Sequence, residues 1–239
     1  MTIQAIPNLN LALAFIPVIL VVIILHRWSL EAGNAVYSVF RMLLQLLLVG
    51  YVLATIFQAD NAWVVMLVLL IMVSAASWIA LGARQQHRLR LYKHAFMAIL
   101  LGGGFILVLV TQAVIDLNPW FEPEYMIPLA GMIFANSMNS ISLATERLYA
   151  ETARNVPYEK AKAIAFQAAF IPVVNSLFAV GLVNLPGMMT GQILSGVSPI
   201  VAAQYQIVVM CMIFGSAGLS TAYFLVFSKS VITQTEGHL

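Results

Sequence analysis

Long runs of apolar residues, separated by short polar segments, dominate the chain. The runs are continuous and rich in leucine, whereas a membrane β-barrel shows segments of about ten residues in which apolar and polar positions alternate. A helix needs about twenty apolar residues to cross a hydrocarbon layer about 30 Å thick. We therefore predict an all-α integral membrane protein with about seven transmembrane helices. The expected spans are Leu9–Leu25, Ala35–Phe57, Ala62–Leu81, Ala95–Ile115, Tyr125–Ala144, Ile164–Val183 and Ile200–Phe227.

Charged residues lie almost entirely between these spans, and their sign differs between the two sides that alternating spans create. One side carries all 11 Lys and Arg residues except Arg41, whereas the other carries acidic residues and no basic ones. Because basic residues concentrate in cytoplasmic loops, we expect the N-terminus outside and the C-terminus in the cytoplasm. The basic residues of the expected cytoplasmic side are Arg27, Arg84, Arg88, Arg90, Lys93, Arg147, Arg154, Lys160, Lys162 and Lys229.

Composition leaves little room for a water-soluble domain. Hydrophobic residues make up 62% of the chain and charged residues 8%, whereas a soluble domain is about a quarter charged. We expect residues 1–239 to form one transmembrane domain in the inner (plasma) membrane. No cleavable signal peptide is expected, because Met1–Leu13 lacks the basic segment that such peptides carry. Cys211 is the single cysteine, which excludes an intrachain disulfide.

Two polar residues interrupt the second expected span. Arg41 lies inside this span, and Gln45 follows one helical turn later. A charge at the centre of a bilayer costs about 2.5 kcal/mol or more. One interpretation is that Arg41 reaches the headgroups or pairs with Glu31. The other is that Arg41 and Gln45 face a polar pathway.

Spans five and six also contain polar or helix-breaking residues. Asn136, Asn139 and Ser140 share one stripe of span five, which indicates either hydrogen bonding between packed helices or a lined cavity. In span six, Pro172 removes a backbone hydrogen bond, and Asn175 follows it. Broken helices of this kind lie at binding sites in transporters, and they also occur in purely structural membrane helices.

The connection between spans six and seven is apolar and is broken by Pro and Gly. Its central run is Leu185-Pro186-Gly187-Met188-Met189. This composition predicts a short helix that lies in the membrane interface or dips into the bilayer, rather than a solvated loop. Met188 and Met189 either fill lipid-facing space or offer soft thioether ligands to a metal.

The chain lacks the motifs of an enzyme. No His, Cys and carboxylate cluster has the spacing of a metal site, and no nucleophile triad is present. The run Gly102-Gly103-Gly104 does not follow a strand, so it does not fit a nucleotide-binding fingerprint and instead indicates close helix packing. We expect the chain to bind no cofactor and no nucleic acid.

The segment 145–163 is the connection long enough to contact a soluble partner. Thr145 is expected to cap a short helix from Glu146 to Arg154, and Asn155 with Pro157 indicates a stop and a restart. The segment is either a solvated connector or a coupling helix that docks on an ATP-driven subunit. The residues expected to make that contact are Glu146, Arg147, Tyr149, Glu151, Arg154 and Pro157.

The order of motifs resembles the FetB-type permease family, which includes bacterial iron-export permeases and plant permeases linked to aluminium tolerance. The resemblance covers nearly the whole chain and departs from the family in three respects. The segment after span five is shorter than in the iron-export members, and the family's Leu-Gly-Ala-Thr-Pro-like stretch there reads Ala153-Arg154-Asn155-Val156-Pro157. Asn175 and Phe178 stand where an acidic and a basic residue are expected. The matching motifs are Arg41-xxx-Gln45-Leu46, Val49-Gly50-Tyr51-Val52-Leu53, Ile127-Pro128-Leu-Ala-Gly131-Met132 with Asn136 and Met138, Val180-Gly181-Leu182-Val183, Leu185-Pro186-Gly187-Met188-Met189-Thr190-Gly191, and Tyr205-Gln206-Ile207.

This resemblance implies the membrane (permease) subunit of an ATP-binding cassette (ABC) transporter. Such a subunit works as a homodimer with two separate ATP-binding subunits, which hold ATP and magnesium, and the implied cargo is an exported metal ion such as iron. Two alternatives stay open: an ATP-independent channel or secondary transporter, and a membrane scaffold without transport. The residues expected to line or gate the path are Arg41, Gln45, Met132, Asn136, Met138, Asn139, Pro172, Asn175, Pro186, Gly187, Met188, Met189 and Gln206.

Overall fold

The computed structural model describes residues 7–57, 61–82 and 88–236, and its regular elements there are helices. Seven helical segments of this described part are long and apolar enough to cross a membrane. This confirms the predicted all-α class and the predicted number of spans. The segments are Leu9–Arg27, Ala32–Tyr51, Ala62–Ala80, Arg88–Val114, Pro123–Thr152, Tyr158–Ala179 and Pro199–Phe227.

The helices fall into two compact units, Met1–Ala59 and Asp60–Leu239, so one domain over residues 1–239 stays a prediction. The first unit contains α1 (Asn8–Leu13), α2 (Ile16–Arg27) and α3 (Ala32–Ile56). The first expected span is therefore two helices. The second of them begins with Pro17 in its first turn, where a residue without a backbone N–H leaves no hydrogen bond unmade.

The second unit contains the remaining helices. Its N-terminal helix is capped by the Asn61 side chain, which accepts a hydrogen bond from the Trp63 backbone N–H at 2.9 Å, so one free donor of the first turn is satisfied. The helices of this unit are α4 (Ala62–Ala80), α5 (Arg88–Ala98), α6 (Gly104–Val108), α7 (Pro123–Thr152), α8 (Tyr158–Ala179), α9 (Gly187–Leu194), α10 (Pro199–Phe227) and α11 (Lys229–Glu236).

The fourth span is longer than predicted, because it begins at Arg88 rather than at Ala95. Arg88, Arg90 and Lys93 are thus helical, although their charges indicated a loop. The Arg88 guanidinium donates to the Trp78 carbonyl near the end of α4 and lies 3.9 Å from the centroid of the Trp78 ring. This cation–π contact fixes the start of α5 to α4. Arg84 lies outside the described residues.

A π-helical turn, Ile99–Gly103, connects α5 to α6, and a second, Leu109–Val114, follows α6. The chain is therefore one continuous helix from Arg88 to Val114. Gly102 in the first turn lies directly against α10: a Cβ atom added there would be 2.6 Å from the Ser220 backbone nitrogen. A Cβ on Gly103 would be 2.9 Å from Ile133 of α7. The expected role in close helix packing is confirmed for Gly102 and Gly103, whereas a Cβ on Gly104 would meet no atom within 4 Å.

Buried serines connect α7 to α10. Ser137 donates to the Ser216 carbonyl at 3.3 Å, and Ser220 donates to the Ser137 hydroxyl oxygen at 3.1 Å. All three side chains are buried. Small polar residues that bond across helices are a common device of membrane helix packing. Ser137 therefore packs α7 against α10, whereas the stripe of Asn136, Asn139 and Ser140 keeps both of its predicted interpretations.

The fifth span also extends beyond its predicted end, and this corrects the expected coupling helix. Residues 145–152 continue α7 without a break, and Thr145 is buried and donates to the Ile141 carbonyl at 2.7 Å. Thr145 therefore does not cap a separate helix from Glu146 to Arg154. The predicted stop and restart are confirmed: Asn155 has φ 60°, which asparagine tolerates, and Pro157 precedes α8.

The last two spans agree with the prediction to different degrees. The sixth begins earlier and ends earlier than expected, at Tyr158 and Ala179, whereas the seventh runs over Pro199–Phe227 and ends where it was predicted to end. The short helix α11 was not predicted. Its first turn is closed by a hydrogen bond from the Ile232 backbone N–H to the carbonyl of Ser228, the residue between α10 and α11.

Candidate functional site

The connection from α8 to α10 is a folded segment with a short helix, as predicted. Gly181 (φ 83°) and Gly196 (φ 95°) allow tight turns on either side of α9. Pro186 precedes the first residue of α9, where its fixed φ favours helix initiation. Ser198 then caps α10 by accepting a hydrogen bond from the Val201 backbone N–H at 3.3 Å.

A cavity of about 610 Å³ lies among the end of α8, the segment that carries α9, and the first half of α10. It brings together two of the residues predicted to line a path, Met189 and Gln206. Most of its wall is apolar. The lining residues are Leu177, Val180, Gly181, Leu185, Met189, Ala203, Gln206, Ile207, Met210, Cys211 and Phe214.

Gln206 is a buried polar residue in the wall of this cavity. Its side chain is 6% exposed, and among the described residues no donor lies within hydrogen-bonding reach of its Oε1 atom. A buried acceptor without a partner costs about 1–3 kcal/mol. The Oε1 atom is closed off from the open space of the cavity as well as from the donors of the described residues.

Nine of the eleven lining residues were not predicted as site residues, although the sequence carries a signal for part of them. Ala203, Gln206, Met210 and Phe214 recur at intervals of three or four residues and therefore share one face of α10. The spacing of these residues does not show which other helix would cover this face of α10. The cavity residues absent from the prediction on α10 and α8 include Leu177, Ala203, Met210, Cys211 and Phe214.

The polar stripe predicted on α7 does not face one environment. Asn136 is half-buried and donates to the Met132 carbonyl of its own helix at 2.8 Å, whereas Asn139 is exposed and Ser140 is buried. Met132 and Met138 are both half-buried. Because Asn136 is already bonded within α7, its role in a pathway stays a prediction.

The remaining predicted path residues of this unit are not brought into the cavity. Pro172 lies within α8 and Asn175 follows one turn later, and both are exposed. Phe178 is 76% exposed. Pro186, Gly187 and Met188 belong to the start of α9 but do not line the cavity, in contrast to Met189.

Arg41 and Gln45 lie on α3 of the first unit, and both side chains are exposed. Glu31, the predicted alternative partner of Arg41, accepts a hydrogen bond from the Asn34 side chain instead. Within the described part of the chain, Arg41 has no ion pair. The headgroup and pathway interpretations of Arg41 both stay open.

The end of α7 carries a buried carboxylate with two arginines around it. Glu151 is 5% exposed, and its Oε1 lies 2.7 Å from Arg147 Nη2 and 3.8 Å from Arg154 Nη1. Both arginine side chains are exposed, so they carry positive charge at the protein surface, whereas the Glu151 carboxylate beside them is buried. Glu146 and Pro157 are exposed beside them, and Tyr149 is half-buried.

A second group of charges joins the start of α8 to the end of α10. Glu159 accepts hydrogen bonds from Lys162 and Lys229, the latter at 2.7 Å. Lys229 also lies 5.6 Å from the centroid of the Tyr158 ring, and the Tyr158 hydroxyl donates to the Leu225 carbonyl. This carbonyl belongs to the last turn of α10, a part of a helix where carbonyls commonly need partners from outside the helix.

The Tyr158 hydroxyl offers a test of this junction. In Tyr158→Phe, the terminal carbonyl of Leu225 loses its donor, and we expect the free energy of unfolding to fall by about 1 kcal/mol, with a drop in Tm of about 2–4 °C. Thermal unfolding in detergent would measure it. The control is Tyr223→Phe, which keeps the ring that stacks on Phe227. An equal loss in both variants would contradict the assigned role of Tyr158.

No group of three or more His, Cys, Asp or Glu side chains that could hold a metal ion occurs among the described residues.

Seven membrane-length helices among the described residues define a multi-pass membrane protein. The chain belongs to the family described as "Uncharacterised protein family (UPF0014)", whose model matches residues 7–161 and 154–232. This confirms the family to which the sequence motifs pointed.

Several curated proteins are similar to the chain over most of both lengths. The "Probable iron export permease protein FetB" of Escherichia coli (strain K12) is 35% identical over 94% of this chain and 92% of its own. "Protein ALUMINUM SENSITIVE 3" of Arabidopsis thaliana is 37% identical over 88% and 81%, respectively. The "UPF0014 membrane protein YjkA" of Bacillus subtilis (strain 168) is 31% identical over 89% of each. No solved structure matches the chain.

Proposed function

We propose that this chain is the membrane subunit of an ABC transporter in the inner (plasma) membrane. It would work as a homodimer with two separate ATP-binding subunits, which hold ATP and magnesium, while the chain itself has no enzymatic activity. The observation that carries this proposal is the 35% identity, over nearly the full length, to a protein named as a probable iron export permease.

The charged surface at the end of α7 and the start of α8 supports docking of a soluble ATPase. Its exposed members are Glu146, Arg147, Arg154, Pro157 and Lys160. Because α7 runs unbroken from Pro123 to Thr152, a force that the ATPase applies to this surface would act on the same helix whose Ser137 is hydrogen-bonded to α10. ATP binding and hydrolysis on the partner would thereby shift α7 against α10.

The cargo proposed for this transporter is a metal ion such as iron, exported from the cytoplasm. This rests on the name of the relative from Escherichia coli. The orientation proposed from the charge distribution, with the N-terminus outside, puts the α7–α8 surface in the cytoplasm, where an ATPase is available. The predicted polar positions on α3, α7 and α8 are the proposed lining of the path.

Reconstitution tests the proposal directly. The chain would be co-expressed with the ATP-binding subunit encoded nearest to its gene, purified, and incorporated into liposomes. We expect the two proteins to co-purify and ATP to drive Fe²⁺ across the bilayer. The control is the same complex with the phosphate-binding lysine of the ATPase replaced. Failure of every neighbouring ATPase to bind would overturn the proposal.

A second candidate is an ATP-independent channel or secondary transporter. It is favoured by the absence of a separate coupling helix in the described segment 145–163, since α7 passes to α8 through residues 153–157. Fe²⁺ flux in liposomes that contain the chain alone, without nucleotide, distinguishes this candidate from the first.

A further inference from the structure

Residues 61–115, which contain α4, α5 and α6, carry positive charge without an acidic residue to balance it. This segment has four Lys or Arg residues and no Asp or Glu, whereas the segment 145–163 has four basic and three acidic residues. The counter-charge for α5 therefore has to come from outside its own segment. The basic residues of the segment are Arg84, Arg88, Arg90 and Lys93.

Arg90 and Lys93 are both exposed, and they lie three residues apart on one face of α5. Neither side chain forms an ion pair or a hydrogen bond with another residue in the described part of the chain. Two neighbouring cations repel each other unless an anion lies near both. The other helices differ in this respect, because four of their basic residues lie within 3.8 Å of a carboxylate: Arg147, Arg154, Lys162 and Lys229.

An aromatic cluster beside these cations indicates their depth in the membrane. The Trp78 ring lies under the Arg88 guanidinium, at 3.9 Å, and makes an edge contact with the Tyr92 ring at 6.0 Å. Trp and Tyr side chains favour the headgroup region of a bilayer, because their rings are apolar and each has one polar group. Since Tyr92 precedes Lys93 directly, Arg90 and Lys93 are expected at the level of the lipid headgroups.

The exposed surface of the same continuous helix becomes apolar beyond the two cations. Met97 follows Lys93 after four residues, so the two side chains are neighbours on the helix surface. Leu100, Leu101 and Phe105 continue this surface, and each is exposed. A molecule that fits the whole face therefore combines an anionic group with a hydrocarbon chain. An acidic protein surface offers the first of these properties without the second.

We propose that this face of α5 binds an anionic phospholipid of the bilayer. The phosphate of the headgroup lies between Arg90 and Lys93, and an acyl chain lies along Met97 and the exposed leucines that follow it. A zwitterionic phospholipid fits less well, because its own ammonium group offsets the charge of its phosphate. This binding goes beyond the proposed transport of a metal ion and depends on neither an ATP-binding subunit nor a cargo.

The fluorescence of Trp78 reports on the lipid beside α5. The chain has four Trp residues, and replacement of the other three by Phe leaves Trp78 as the single one. The full-length protein is placed in phosphatidylcholine liposomes, and a share of the lipid is replaced by phosphatidylglycerol or phosphatidylcholine that carries quenching bromine atoms on an acyl chain. We expect phosphatidylglycerol to reach half-maximal quenching at about tenfold lower mole fraction, as two basic residues at an anionic lipid allow. The preference should decrease in high salt.

Two double variants make the result specific. Arg90→Gln with Lys93→Gln should remove the preference for phosphatidylglycerol. Arg154→Gln with Lys162→Gln removes the same amount of charge from cations that already contact carboxylates, and it should keep the preference. Equal quenching by both lipids before these changes, or an equal loss in both variants, would overturn the proposal. An unchanged lipid preference in the α5 variant, together with loss of a bound ATPase, would assign its cations to a protein partner and also overturn it.

Discussion

Gly102→Ala is expected to lower the free energy of unfolding by about 1–3 kcal/mol and the Tm by about 5 °C. The added Cβ would lie 2.6 Å from the backbone nitrogen of Ser220 and 2.7 Å from its hydroxyl oxygen. The backbone of α10 cannot turn aside as a flexible side chain could, so the two helices must separate. That separation also weakens the hydrogen bond from Ser220 to Ser137.

Gly104→Ala is the matched control for this experiment. Gly104 lies two residues further along the same helix, and a Cβ there would meet no atom within 4 Å. Because alanine favours helix over glycine by about 1 kcal/mol, this variant should be slightly more stable than the unaltered protein. Thermal unfolding of both variants in the same detergent decides between a packing contact and a general requirement for glycine. Equal Tm values for the two variants would show that Gly102 does not pack closely against α10.

Reversal of two charges at the α7–α8 surface is expected to reduce co-purification of the ATP-binding subunit about tenfold or more. Arg154→Glu with Lys160→Glu changes this surface by four charge units, and both side chains are exposed, so the fold should be retained. Close charge pairs across protein interfaces contribute about 1.5–7 kcal/mol, and their reversal adds repulsion. Pull-down of the ATPase from the co-expressed complex measures the effect.

An equal change of charge elsewhere provides the control. Arg90→Glu with Lys93→Glu replaces two exposed basic residues on α5, away from the segment 145–163. This double variant should keep the ATPase at a level close to that of the unaltered complex. If both double variants lose it equally, a general change in charge explains the loss, and the specific role of the α7–α8 surface is wrong.

The spans could be predicted from the sequence because the bilayer imposes a length on apolar runs. The seventh span shows this most clearly, since it lies within one residue of its expected range at each end. The prediction was less accurate where a helix continues beyond its apolar part. Arg88, the first residue of α5, contacts Trp78, and α7 continues through Thr145. Neither feature can be recognised from the local hydropathy of the sequence.

The candidate site was only partly accessible from the sequence. Met189 and Gln206 were selected because they belong to motifs, and the structure places both in one cavity. Cys211 was not predicted to belong to a site, because its exposure on a cavity wall depends on which faces of α8 and α10 meet. Asn136 shows a further difficulty of sequence analysis, because a polar side chain inside a span can form its hydrogen bond within its own helix.

The two π-helical turns between Ile99 and Val114 have a consequence for relatives of different length. A π-helical hydrogen bond spans five residues rather than four, so each turn holds one residue more than an α-helical turn of the same extent. Deletion of one residue between Leu109 and Val114 would let that turn close into regular α-helix, and Gly102 would stay opposite Ser220. Single-residue gaps in an alignment of this span would then mark loss of a π-turn, rather than a shift of the helix against its neighbours.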